Sequence, residues 1–500
     1  MSFVPPRVCA ALLIVIAVLR IASTFTTFSQ TTDEPMHVGG GLEVLQDHTY
    51  QLMLLNPPLP RIVMAIAPYA AGVRLPENRD FWVRTHAVFY NQLPYETNLA
   101  LARAGNLIFF ALAATCVWLL TFGSLGSRGA LIAVLLFTTQ PIMLGYSGLA
   151  THEAAATAAV GVGMIAFAFW MAKPDARYAA ILGLAYGFGV LCKFSSLVYI
   201  PAVCGAILIA RMLVDRDTRR LRAVPLTLLV VLVVSTFVVW LGYGFNIHPF
   251  LNGVTDIARI DREGMPSYLF GRWSRRGWWW YFPAALALKT TLPFLLLFLA
   301  GFVATSRNAV LRRVFIESAA ASIAIVVVAM PSRLDIGVRY VLPVFVPMTI
   351  AAAAATMALL ESRRAITRWC TVALLVLHTS SSIAAHPDYF PYFNILAGRD
   401  PSRYLVDSNL DWEQDALRLR RVVREMKIQS LSVRDISSID YEALHFPPVQ
   451  RYKSPHDVLH GWVAVGDSYY REGRAAGGWP QLRELPFRRV GTSIRLYDVP

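Results

Sequence analysis

The chain has 500 residues, 56% of them hydrophobic and 16% charged, with a formal net charge of +14 and a mean hydropathy of +0.48. That balance excludes an ordinary soluble globular protein and places most of the chain in lipid. Many of the 46 Lys and Arg lie in short loops between apolar blocks, where positive charge sets membrane orientation, so the basicity does not argue for a nucleic-acid partner.

The apolar residues recur in blocks of about 18 to 22, enough for a helix rising 1.5 Å per residue to cross a hydrocarbon core of roughly 30 Å. Spans are predicted to begin near positions 8, 104, 128, 153, 177, 194, 223, 283, 312, 338 and 366, about eleven crossings. The first runs from Val8 to about Thr24 with no clear A-x-A site after it, and reads as an uncleaved span, not a signal peptide. With a cytoplasmic N-terminus, the inside loops carry Arg128, then Lys173 and Arg177, then Arg211 to Arg222, Arg307 to Arg313 and Arg363 to Arg368. Every one is basic, as the positive-inside rule expects. The cysteines (Cys9, Cys116, Cys192, Cys204, Cys370) fall within or beside apolar segments without CxxC spacing, which argues against disulfides and a thiolate metal site.

The same assignment puts residues 25–103, 245–282 and everything after about 385 on the extracytoplasmic side. In the first of these, the apolar stretch from Arg61 to about Val73 is too short to span and is predicted to lie along the interface as an amphipathic helix. Trp278, Trp279, Trp280 and Tyr281 precede a span, where such rings settle at headgroup level. The C-terminal part changes character, with shorter apolar runs and more charge. Tyr404–Val406 reads as a short strand, Leu410 to about Lys427 as a helix and Ile428–Val433 as a strand. The expected fold is therefore mainly α: a polytopic transmembrane bundle over residues 1–384, followed by a small extracytoplasmic α/β domain over 385–500.

Chemistry is sought in the polar regions. Thr31-Thr32-Asp33-Glu34-Pro35-Met36-His37 sets two adjacent carboxylates at the membrane's outer edge, with Pro35 placed to open a helix. A carboxylate there can act as a base, or it can simply complement the helix dipole. Asp33 and His37 stand four apart and share a helix face, so they are candidate ligands for a divalent cation; two ligands do not make a site, and no metal set is assigned.

A short first span, the Asp33-Glu34 pair, a long loop containing Asn56-Pro57-Pro58-Leu59, and many further spans resemble the GT-C glycosyltransferases of the protein O-mannosyltransferase and aminoarabinose-transferase type. Leu191-Cys192-Lys193-Phe194-Ser195, Tyr243-Gly244-Phe245, Tyr281-Phe282-Pro283 with Lys289-Thr290, and Ile336 through Arg339-Tyr340 to Pro343 extend the resemblance along most of the chain. So does Tyr392-Phe393-Asn394 through Asp407-Ser408-Asn409-Leu410-Asp411-Trp412-Glu413-Gln414-Asp415, although relatives tend to have Gly where Glu413 stands. Near the outer end of the third span, such proteins often carry a second acid, usually Asp, and here Glu153 is the acid available. The resemblance implies transfer of a hexose or pentose from a polyprenyl-phosphate carrier to an acceptor (protein, lipid or polysaccharide) outside the cytoplasmic (inner) membrane. It implies Asp33 as the base, with Glu34 its neighbour.

A phosphate that gains charge as the sugar leaves needs cations near the membrane surface. Arg339, beside Tyr340 at the outer start of a span, is the first candidate, because a charge there is costly unless used. Lys193 and Lys289 sit at predicted outer edges and either bind phosphate or snorkel to headgroups. Arg272, Arg275 and Arg276 precede the Trp run and either bind the donor or face anionic membrane lipid. Substrate contacts are thus expected from Glu153, Lys193, Lys289, Arg339, Tyr340 and Arg275. No P-loop or dinucleotide fingerprint is present. The alternative from another class is a multi-span transporter or flippase of lipid-linked glycans, which would hold its polar groups near the midplane in repeated halves. A non-catalytic glycan-binding scaffold would leave Asp33 dispensable.

Overall fold

The computed structural model describes residues 5–78, 80–216, 222–434 and 438–500. Positions 217–221 of the predicted basic loop Arg211–Arg222 lie outside the described residues. Among the described residues, five helical stretches are long and apolar enough to cross a membrane: Tyr95–Thr138, Glu153–Ala172, Ser196–Asp215, Val224–Gly242 and Val338–Leu360. A sixth arises if Tyr281–Lys289 and Leu292–Arg307, bent by 117° at their junction, form one span.

The eleven expected crossings are not reproduced by length and apolarity, for local reasons. The spans placed near 104 and 128 are two helices within Leu107–Thr138 that meet at a kink at Gly126, whose φ of 68° and ψ of −170° suit a residue without a Cβ. The span placed near 283 breaks at Thr290 and Thr291. Those near 8 and 177 are 17-residue helices, Pro6–Ala22 and Ala176–Cys192. The helices near 312 and 366, Ala309–Ala329 and Ala365–Ala384, are diluted by Arg312, Arg313 and Glu317 and by His378 to Ser382.

Helix Phe345–Leu360 runs through the middle of the bundle, and Ala351 through Ala355 are all fully buried. A run of small side chains lets helices Leu107–Thr138, Leu292–Ala304 and Ala309–Ala329 approach it closely, which is how apolar helices gain packing energy without a hydrophobic drive. The bundle has two polar ends. At one, Arg211 on helix Ser196–Asp215 forms a two-pronged ion pair with Glu317, to which Arg313 adds a hydrogen bond at 3.1 Å. Helix Ser196–Asp215 runs from there to Lys193 and Ser195 at the other end, about 30 Å away.

At that second end lie residues 25–103 and the C-terminal part. Helix Glu34–Asp47 packs on helix Pro58–Ala70 so tightly that a Cβ on Gly41 would stand 2.0 Å from the Arg61 carbonyl oxygen. The stretch predicted as an interfacial helix from Arg61 is therefore held by protein on one side, with Arg61, Met64 and Ala65 buried and Ile66 exposed. A two-stranded antiparallel hairpin, β1 (Ser267–Leu269) and β2 (Arg272–Ser274), precedes the aromatic run. In that run Trp279 is exposed and Tyr281 buried.

The C-terminal sheet has five strands, β3 (Leu431–Arg434), β4 (Val449–Arg451), β5 (Gly461–Gly466), β6 (Phe487–Val490) and β7 (Ile494–Val499), in the order β4-β3-β5-β7-β6. β3 pairs in parallel with β4 and β5, whereas β7 is antiparallel to β5 and β6. Helix Ala416–Glu425 covers the sheet through Leu417, Leu419 and Val423. The predicted helix and second strand thus appear with shifted edges, and the predicted strand Tyr404–Val406 does not form. Its backbone curls back instead: Tyr404 N and Leu405 N both donate to Pro401 O, and Tyr404 O accepts from Phe270 N at 3.0 Å.

Candidate active site

Asp33 occupies the N-cap of helix Glu34–Asp47, with Pro35 in the first turn as its fixed φ favours. Its carboxylate is partly exposed, 21% by side chain, and Oδ2 accepts from Arg339 Nη1 at 2.7 Å. Arg339 comes from the 3-10 turn Val338–Val344 that opens the central helix. The same Nη1 lies 3.8 Å from Glu153 Oε1. Glu153, the first residue of helix Glu153–Ala172, also accepts from Lys193 Nζ at 3.0 Å. Four helix ends thus converge, and charges alternate in sign from Asp33 through Arg339 and Glu153 to Lys193. Each charge has an opposite neighbour, which is what makes burial at the end of an apolar bundle tolerable.

Aromatic rings complete the setting. The Arg339 guanidinium carbon lies 4.2 Å from the Trp412 ring centroid and 5.2 Å from that of Tyr340, and Lys193 Nζ is 5.1 Å from Tyr340. These are cation–π distances, and the rings fix the fork of the guanidinium toward the carboxylates. Tyr340 is itself set by Tyr199, whose hydroxyl donates to its carbonyl at 3.0 Å.

Trp412 arrives with a polar segment clamped across the bundle end. Asn409 Oδ1 accepts from Val338 N at 2.9 Å, Ser408 Oγ donates to Ile336 O at 2.5 Å, and the Tyr146 hydroxyl donates to Ser408 O. Asp407, at φ 56°, stands beside this cluster. Burial pushes its carboxyl up to about 6, against the pull of the Arg339 charge. Beneath Asp33, the buried imidazoles of His37 and His152 meet edge to face, with centroids 4.4 Å apart. His37 Nδ1 bonds Ala150 O at 3.1 Å and His152 Nε2 bonds Pro57 O at 3.3 Å. Burial holds both below the ordinary imidazole range, so this pair is neutral.

Glu34 does not share the opening with Asp33. It is fully buried, takes Arg103 in two parallel hydrogen bonds of 2.8 Å, and accepts from Ala150 N and Thr31 N at 2.7 Å each. Arg103 also donates to the carbonyls of Phe25, Phe28 and Ser29. Glu34, expected as the neighbour of the base, thus has its oxygens committed to Arg103, Ala150 N and Thr31 N within the turn that carries Asp33. Lys289, expected at the phosphate, is likewise fully buried; its ammonium donates to Phe390 O and Asn409 O, because the helix carrying it stops at the break and turns the side chain inward. Arg275 is exposed just after β2 and outside the cluster. Among the described residues, no group of three or more His, Cys, Asp and Glu is placed to hold a metal ion. The structure thus brings together Asp33, Glu153, Lys193, Arg339 and Tyr340, and adds Asp407 and Trp412.

Chemically, this offers one partly exposed carboxylate paired with Arg339, and a second cation, Lys193, on the far side of Glu153. Residues 95–240, which include Glu153 and Lys193, match a family model described as dolichyl-phosphate-mannose-protein mannosyltransferase. The structure superposes on that of ArnT from Cupriavidus metallidurans bound to undecaprenyl phosphate, with TM-score 0.51, 13% identity and 97% of each chain covered. The chain therefore shares this fold, as the resemblance to GT-C enzymes implied. A second GT-C structure, the Archaeoglobus fulgidus oligosaccharyltransferase tethered to an acceptor peptide, aligns with TM-score 0.50 and 14% identity over 97% of this chain and 74% of that one. No curated protein matches the chain by sequence. Within the GT-C frame, the first loop helix, the start of the third long helix, and the 3-10 turn of the central helix all deliver their polar residues to one point.

Proposed function

We propose that the chain is a multi-pass inner-membrane glycosyltransferase. It moves a hexose or pentose from a polyprenyl-phosphate carrier to an acceptor outside the cytoplasmic membrane. The observation that carries this reading is Arg339 Nη1 lying 2.7 Å from Asp33 and 3.8 Å from Glu153, with Lys193 on the far side of Glu153. A base and two anion-binding cations are set within one small cluster at the end of a lipid-embedded bundle. The family match over residues 95–240 and the undecaprenyl phosphate held by ArnT support the donor class.

In this mechanism Asp33 takes the proton from the acceptor hydroxyl. The hydroxyl oxygen bonds to the sugar's anomeric carbon as the carbon–oxygen bond to the carrier phosphate breaks, and that electron pair goes to phosphate. Arg339 and Lys193 hold the charge that develops there, in a setting preorganised by Tyr340 and Trp412. Residues 385–500 form an extracytoplasmic domain on the same side as this chemistry. The test uses purified protein in lipid with a panel of radiolabelled polyprenyl-phosphate sugars and membrane extract as acceptor source. Wild type moves label, and Asp33→Asn, folded by gel filtration, does not. Equal transfer by Asp33→Asn would remove the base from Asp33.

A further inference from the structure

Helix Phe81–His86 and the C-terminal sheet face one another across a cleft of about 1160 Å³. Trp82 and His86 stand on one wall, Asp440, Glu442 and Arg451 on the other, and the floor reaches Thr32, the residue before Asp33. The floor is stitched to that turn. Thr32 Oγ1 donates to Glu413 Oε2 at 3.3 Å, and Glu413 accepts from the Ser438 hydroxyl and, at 3.2 Å, from Ser438 N. Glu413 holds φ at 70°, a left-handed conformation that residues other than glycine rarely adopt. This chain accepts that strain and gains a carboxylate joining the cleft to the turn that carries Asp33.

The walls describe the occupant. Trp82 is 56% exposed and lines the cleft, with the rings of Phe81 and His86 at centroid distances of 5.3 Å and 5.4 Å. Asp440 and Glu442 are exposed opposite it. His86 uses Nδ1 on Trp82 O at 2.8 Å and keeps Nε2 for another partner. Burial and the nearby Arg451 charge hold His86 below the ordinary imidazole range, so the walls carry little net charge and no strong pull on an ion. Both walls come from segments outside the helices long enough to span, and beside the polar groups Val83, Phe446 and Val449 give the cleft apolar patches. The volume exceeds what one sugar ring fills, since sites for single small molecules run from about 300 to 1,000 Å³. A face of a sugar ring presents C–H groups to an indole, while its rim of hydroxyls donates to carboxylates and accepts from guanidinium and imidazole.

We propose that this cleft seats the acceptor of the transfer and that the acceptor is a glycan of several rings, fed past Thr32 to Asp33. The proposal rests on the glycosyltransferase reading above. The experiment measures transfer from the labelled donor that wild type consumes, as membrane-extract acceptor is varied, for wild type, Trp82→Ala, Trp82→Tyr and Glu442→Gln. Trp82→Ala raises the acceptor KM tenfold or more, leaving the donor KM and the rate at saturating acceptor unchanged. Trp82→Tyr, which keeps a ring face, restores most of the loss, and Glu442→Gln raises the acceptor KM by a smaller factor. Periodate oxidation of the extract, which cleaves vicinal diols, abolishes acceptance, whereas protease digestion does not. An unchanged acceptor KM in Trp82→Ala and Glu442→Gln overturns the cleft while leaving the transferase reading intact. Loss of acceptance to protease but not periodate overturns the glycan in favour of a peptide. If wild type consumes no donor, the transferase reading itself fails and this proposal falls with it.

Discussion

Arg103→Met should loosen the support beneath Asp33 more than any surface change near the site. The side chain makes five hydrogen bonds, two to Glu34 and three to the carbonyls of Phe25, Phe28 and Ser29, and both partners of the ion pair are completely buried. Removing one member of a buried pair costs about 3–5 kcal/mol, because the other charge is left uncompensated. Glu34 retains hydrogen bonds from Ala150 N and Thr31 N, so the expected loss lies toward the lower end, about 3 kcal/mol. Glu34→Gln keeps shape while removing the charge, at a smaller expected loss of about 1–3 kcal/mol. In the double variant no orphan carboxylate remains, so the two losses should fall short of adding by about 2 kcal/mol, within the range seen for residues in direct contact. Equilibrium unfolding in mixed micelles, followed by far-ultraviolet circular dichroism across the four proteins, measures this coupling. Additivity within about 0.5 kcal/mol would refute the claim that the pair acts as one unit beneath Asp33.

Arg339→Met should cut transfer at saturating donor by about 100- to 1,000-fold, the usual loss when a preorganised donor to developing charge is removed. Arg339→Lys should recover only part of this, since an ammonium cannot keep the planar stacking on Trp412; steady-state rates test both. Lys193→Met should weaken donor binding and leave Glu153 with only its more distant Arg339 contact, so Lys193→Met with Glu153→Gln should be better folded than Lys193→Met alone, as read by gel filtration. Burial pushes the Asp411 carboxyl up to about 7, with Asp467 and Asp415 adding to the effect. The folded state therefore holds a proton that the unfolded state has released above its ordinary value near 3.8, and stability falls as pH rises between these values, by up to about 1.4 kcal/mol per unit. Asp411→Asn should flatten that slope in unfolding measured from pH 4 to 8, and an unchanged slope would assign it elsewhere.

Legibility differed from residue to residue. Asp33 and Arg339 lie 306 positions apart, yet both were readable. Each is a charge at an apolar span's edge, and such charges are rare enough to be informative. Glu153 and Lys193 were readable for the same reason. That signal fails for Lys289, which sits in the same kind of sequence position but turns inward where its helix breaks, a three-dimensional event with no trace in hydropathy. Glu34 was read as Asp33's partner because adjacency in sequence suggests shared chemistry, whereas in a helix cap adjacent side chains point apart. Trp412 and Asp407 belong to a segment noticed only as a resemblance; that it folds back onto Val338 depends on Asn409 and Ser408 bonding to a distant backbone, which no local pattern encodes. Hydropathy reports apolar length and carries no sign of the breaks at Gly126 and Thr290.

The ring of Trp412 over Arg339 has a consequence for how such proteins can be recombined. A boundary drawn at 385, where the last long helix ends, would look like a natural seam for exchanging C-terminal parts between relatives. Yet the stretch from Asp407 to Asp415 is written into the bundle end as firmly as any helix of it, with Asp415 in turn gripping Thr492 and Ser493 near the chain's end. A chimera joined at 385 would import a foreign lid over its own guanidinium, and one joined after Asp415 would sever the grip on the final strand. The joint between the two parts therefore has to be exchanged whole, together with the strand it grips.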